Sequence, residues 1–258
     1  MTGEDIKELN VPAEDSVRYG INFIKTAVCE LRFPTLLEIE DKPPIKFQSA
    51  LRKHYPYYTE EHGVSLTQGA APSSSGKRYR FESKKKDWTI ALKANSISLE
   101  TNSYIDFKDF YKRFQLMLDT VGGLLDTDFF TRVGLRYINS VPLPGNDMDS
   151  KDIHKWINPV LVAPLKGGEL GTLTMFNSEI GGHTDGGKYT FRHGFARGNS
   201  PDKESISYML DYDYFQDGVE YNDVYRIISE FNSQNFNLFK WSLGEESIKV
   251  LVQGENKI

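Results

Sequence analysis

Two aspartates, Asp211 and Asp213, stand two apart in the run LDYDYF (210–215), and two arginines, Arg132 and Arg136, stand four apart in FFTRVGLRYINSV (129–141). An even spacing keeps side chains on one face of a β-strand. Two carboxylates so placed can hold a divalent cation or act as general acid and base, the chemistry of a metal-dependent phosphoester hydrolase. Such a site wants a third carboxylate or a histidine nearby, and none is adjacent in the sequence. The competing reading sets the aspartates against arginines across a sheet, in a charge-assisted network that leaves one face polar. The planar fork of arginine also suits a carboxylate or phosphate carried by a ligand. Glu30, Arg32, Arg132, Arg136, Arg192, Asp211 and Asp213 each fall on the less apolar face of an expected strand. Arg32, Arg132, Arg136, Arg192, Asp211 and Asp213, with Tyr137, form the candidate ligand-binding set, and Tyr189 and Tyr212 are further candidates for lining a cleft. These residues either converge on a groove or satisfy one another.

Other motifs carry less. The run GHTDGGK (182–188) matches a phosphate-binding loop in outline, but Tyr189 stands where a magnesium-binding Ser or Thr is needed. That loop also requires a helix after it, whereas 189–197 alternates like a strand, so a Gly-rich hairpin is the better reading. The five histidines form no ligand set: His183 is expected on the hairpin tip, and His193 inside a strand beside Tyr189, Phe191 and Phe195. The single Cys29 excludes an intrachain disulfide and reads as core. Lys84–Lys86 reads as a solvated turn whose charges discourage edge pairing. No cofactor is indicated.

The elements that must position these residues follow from periodicity. Strands are expected over 21–33, 78–82, 88–93, 97–101, 129–141, 170–179, 188–197 and 206–215. Pro44 opens a short helix to about His54, and Gln68–Gly76 reads as a loop. Asp106 and Asp109 mark a helix start, after which Phe110, Phe114, Met117, Val121 and Leu124 repeat on one face. Further helices are expected over 151–161, from an Asn222 cap onward, and over 245–252. Both halves read strand, helix, three strands, helix. The expected fold is therefore α+β, with mostly antiparallel sheets and helices on one face. Its layout is a flexible arm over 1–20, then two pseudo-repeated halves, 21–128 and 129–258, which can merge into one integrated domain.

Composition bounds the rest. A 258-residue chain can bury an ample core without disulfides or metals. Its net charge of −5 argues against nucleic acid as a partner. No apolar run approaches a membrane span, and the first ten residues are too polar for a signal peptide, so the expected location is the cytoplasm.

The runs FIKTAVCELRF (23–33), PPIKF (43–47), FFTRVGLRYIN (129–139), LDYD (210–213) and LFKWSLGE (238–245) together resemble a sporadically distributed, uncharacterised prokaryotic family marked by its V-G-L-R-Y-I-N run. The likeness covers the chain from about residue 20. It departs at Phe23, where similar members carry Pro, and at Leu243-Gly244, where they carry Ile-Thr ahead of the last helix. The resemblance implies no activity, cofactor or catalytic residue. Its patchy distribution implies an accessory role of the phage-defence type. The expected function is thus a binding or interaction protein, rather than an enzyme, for a protein partner or an anionic small molecule, with the metal-dependent phosphoester hydrolase using Asp211 and Asp213 as the alternative and a homodimer also open.

Overall fold

The computed structural model describes residues 9, 11–14, 19–65, 73–144, 152–165, 170, 173, 175–200 and 203–253. The strands are β1 Ile24–Arg32, β2 Tyr57–Ser65, β3 Ser73–Glu82, β4 Trp88–Lys93, β5 Ser96–Thr101, β6 Phe129–Pro142, β7 Asn177–Thr184, β8 Gly187–Ser200 and β9 Lys203–Glu220. The helices are α1 Leu37–Asp41, α2 Ile45–Leu51, α3 Phe107–Gly122, α4 Ile153–Trp156, α5 Val224–Ser242 and α6 Glu245–Gln253. Strand order is β2-β3-β4-β5-β1-β6-β9-β8-β7. The β1–β5, β2–β3, β3–β4, β4–β5 and β7–β8 pairs are antiparallel. The fold is α+β, a large antiparallel sheet with helices on one face, as the periodicity predicts.

The chain forms two compact units that interleave in sequence. One takes Met1–Lys25, Arg136–Tyr214 and Ser229–Ile258; the other takes Thr26–Leu135 and Phe215–Ile228. Strands β1, β6 and β9 and helix α5 contribute residues to both.

In the unit built around β1–β5, alternation sends Cys29, Leu31, Tyr79, Phe81, Ile90, Leu92, Ile97 and Leu99 into a core. Helix α3 closes it with Phe110, Phe114, Met117, Leu118 and Val121, a stripe worth ~1.5–3 kcal/mol per fully buried side chain. The Asp106 carboxylate caps this helix, accepting from the Asp109 N–H at 2.8 Å. Burial pushes the Cys29 thiol well up, which leaves it an inert core residue. Between β2 and β3 the register slips by one residue, and Gly76 absorbs the bulge at φ 87°.

In the unit built around β7, β8 and the first part of β9, the core is aromatic. Tyr208, Leu210, Tyr212 and Tyr214 of β9 pack with Phe191 and His193 of β8 and Phe231 of α5. Helix α6 forms despite Leu243-Gly244. Gly244 is needed there, because an added Cβ would meet the Lys155 carbonyl, and its N–H donates to Trp156 O at 2.8 Å.

Several expectations change. Strand β2 was not foreseen, and Ser73–Gly76, expected as loop, begin β3, while 66–72 lie outside the described residues. The helix expected over 151–161 shrinks to Ile153–Trp156. Asn158 precedes Pro159, which disfavours helical backbone, and Asn158 instead bonds Ser242 O and Trp241 O. Asn222 does not cap α5. It lies within a 3-10 turn, Tyr221–Asp223, pinned by Tyr221 N–H on Asp128 O and Tyr221 O–H on Leu118 O. The strand expected over 170–179 runs instead over Asn177–Thr184, with Asp185-Gly186 as its turn. His183 is therefore a strand residue opposite Lys188, not a loop-tip residue. The arm expected over 1–20 falls largely outside the described residues.

Candidate functional site

Strand β9 alternates strictly over 208–214, with the tyrosines and Leu210 turned to the helix side and Asp211 and Asp213 to the other. Arg136 of β6 meets Asp211 with both prongs of its fork, Nε to Oδ1 at 2.8 Å and Nη2 to Oδ2 at 2.7 Å. From β8, Arg192 brings Nη1 to 3.8 Å from the same carboxylate. Arg192 Nε donates to Glu179 Oε2 of β7 at 2.6 Å. Four neighbouring strands thus carry a ladder of alternating sign, Arg136, Asp211, Arg192, Glu179, all within one unit.

Burial is uneven along this ladder. The Asp211 side chain keeps 2% of its surface, sheltered beside the two guanidinium groups, whereas Arg136 keeps 40% and Glu179 63%. Bonding to Asp211 raises the Arg136 pKa further above its ordinary value, with the Asp211 and Asp213 charges adding to the effect against the cost of burial. A buried carboxylate needs this arrangement, since an unpaired charge there costs several kcal/mol, on the order of 3–5. Asp211 is accordingly an acceptor committed on both oxygens, and Asp213 stands beside Arg136 as a second negative charge.

The remaining candidates lie elsewhere. Arg32 is in the other unit and pairs with Glu30 two residues back, Nε to Oε1 at 2.6 Å. Arg132, also in that unit, donates to Asp217 at 2.8 Å and lies 4.2 Å over the Phe215 ring. Tyr137 shares the ladder's unit but points the opposite way from Arg136, into the helix side, where its hydroxyl donates to Asn232 Oδ1 at 3.0 Å. Tyr212 is likewise buried on that side, and Tyr189 lies 5.6 Å from Tyr214, ring to ring. None of these tyrosines lines the ladder.

No family model matches this chain, and no curated protein does. What the site can do must be read from its own chemistry. Among the described residues, no group of three or more His, Cys, Asp or Glu is placed to hold a metal ion. No helix among them is long and apolar enough to cross a membrane. Glu179 is the ladder residue that sequence reasoning missed. Its signal was a carboxylate in a strand next to Arg192, obscured because the strand's bounds were set too early.

Proposed function

We propose that this chain is a non-enzymatic binding protein that recognises an anionic group, carboxylate or phosphate, on a protein partner or small molecule, at the open side of the Arg136–Asp211–Arg192–Glu179 ladder. The observation that carries this reading is the contrast between its two ends. Arg136 is fixed by a buried aspartate, but Arg192 is held mainly by a glutamate that is 63% exposed. Exposed pairs of that kind contribute ~0–1 kcal/mol, so an incoming anion can take the place of Glu179 at little cost. Asp211 then keeps both arginines oriented while Arg192 changes partner. The hydrolase alternative, with Asp211 and Asp213 sharing a metal, gains no support, because Asp211 spends both oxygens on Arg136.

The same reading places the chain in the sporadically distributed family it resembles, acting as an accessory, phage-defence-type partner; that step rests on the V-G-L-R-Y-I-N resemblance. We also read the sheet as two pseudo-equivalent halves. Outward from β1 the order is β5, β4, β3, β2, and outward from β6 it is β9, β8, β7, which supports the repeat.

Thermal denaturation with pyrophosphate, citrate and an acidic peptide tests the site. At least one should raise the midpoint, by an amount that grows with the logarithm of ligand concentration once it exceeds Kd. Glu179→Gln should strengthen that response and Arg192→Ala should abolish it. A response absent throughout, or indifferent to both substitutions, removes the reading.

A further inference from the structure

The two ends of the sheet are guarded differently. Edge strand β2 carries Glu60, Glu61 and His62 and faces a bulge in β3, devices that discourage pairing with another chain. Edge strand β7, Asn177–Thr184, carries one acidic side chain and no lysine or proline, and Ile180 stays 41% exposed on it. Gly181 sits at its middle without a local reason. A Cβ there would meet nothing within 4 Å, and its φ lies outside the left-handed region. Its neighbour Gly182 is different, since a Cβ there would run into the Tyr189 ring. A strand-interior glycine that its own fold does not require often marks close approach by another backbone.

We infer that β7 pairs edge to edge with β7 of a second copy of this chain, antiparallel about a two-fold axis through Gly181. The sequence NSEIGGHT is self-complementary in that register. Glu179 falls opposite the other copy's His183, and His183 opposite its Glu179, giving two carboxylate–imidazole pairs on one face. Ile180 falls opposite Gly182 on the other face, and Gly181 meets its own equivalent. Any charged side chain at the axis would face its twin, so an uncharged residue there suits the pairing. The second oxygen of Glu179 can serve the new pair, because Arg192 engages only Oε2.

Sedimentation or light scattering across a dilution series, with hydrogen exchange on the same samples, tests this. The expected result is a concentration-dependent dimer in which the outward amides of 177–184 exchange at least tenfold more slowly than in the monomer. Gly181→Lys, which has room in the single chain, should melt like the wild type at concentrations where both are monomeric and should abolish the dimer at higher ones. Gly181→Ser should retain the dimer. A monomer at every concentration overturns the inference. So does a dimer indifferent to Gly181→Lys, or β7 protection that appears only with a foreign strand-forming peptide while the chain stays monomeric.

Discussion

Each unit lays a set of arginine–carboxylate pairs on the side of the sheet away from its helices, and the two sets differ in how deeply an acid is buried. In the unit around β3, Arg78 meets Glu100 at 2.9 Å and Arg80 meets Glu61 at 3.1 Å and Glu82 at 3.4 Å. Glutamate's extra methylene lifts these carboxylates toward water, and each keeps at least 21% of its side chain exposed. The arginines bond through Nη atoms only, leaving both Nε atoms buried without an acceptor. In the unit around β8, the shorter Asp211 stays close to the sheet, goes under the guanidinium groups and takes Nε and Nη2 of Arg136 together. Similar charges on similar strands thus become a buried, two-pronged carboxylate in one unit and an adjustable, wet set in the other. Acid length alone does not decide which, because Asp217, equally short, keeps 40% of its side chain exposed beside Arg132.

The largest expected effect follows from that burial. Arg136→Ala strips both hydrogen bonds from the Asp211 carboxylate, leaving Arg192 at 3.8 Å to answer its charge, and should cost about 3 kcal/mol, measured by urea unfolding. Arg136→Lys keeps the charge but loses the fork and should fall between wild type and Ala. An Arg136→Ala cost no greater than that of Arg78→Ala would erase the distinction between the units.

The covered faces of the two units respond differently to pH. Beneath the ladder lies His193, whose Nδ1 is 2.8 Å from the Tyr208 hydroxyl, and burial lowers its pKa below the ordinary value of 6.5. The other unit's core holds Cys29, which burial keeps neutral. Below about pH 6.5 the unfolded chain binds a proton that folded His193 resists, so stability falls as pH drops through that range, at most about 1.4 kcal/mol per pH unit for the one proton. His193→Gln should flatten the denaturation midpoint against pH there. An unchanged slope would place the acid sensitivity elsewhere.

How much of this was legible in the sequence depended on whether the signal was local. The alternation of Val133, Leu135 and Tyr137 against Arg132 and Arg136 is a backbone property, and β6 matches it. The cap at Asp106 and the stripe from Phe110 to Val121 are likewise local, and α3 follows them. Pairing is not local. That Arg136 meets Asp211 while Arg132 meets Asp217 depends on how far along β9 the partner strand lies, and Asp217 was beyond the strand end expected at Phe215. Glycine misled where packing, not turning, required it: Gly182 of β7 accommodates the Tyr189 ring, and a loop reading there moved the expected strand toward the N-terminus and left Glu179 at its last position, not paired with Arg192. Strand β2 escaped because Tyr57–His62 are mostly polar or exposed at an edge, so no buried face advertised it.

The smallest expected effect tests the wet set directly. Arg78→Ala removes pairs whose members are each about a third exposed, and should cost no more than about 1 kcal/mol. It also deletes a buried Nε that lacks an acceptor, which offsets part of the loss. Salt separates the two units more cleanly than magnitude does. At about 1 M salt the screening length falls to roughly 3 Å, so the exposed Arg78 pairs lose most of their attraction. Asp211, closed off from solvent ions, does not. The Arg78→Ala penalty should therefore vanish with salt while most of the Arg136→Ala penalty persists. Equal salt dependence in the two variants would mean that ions reach Asp211 as readily as Glu61, and that burial does not set the ladder apart.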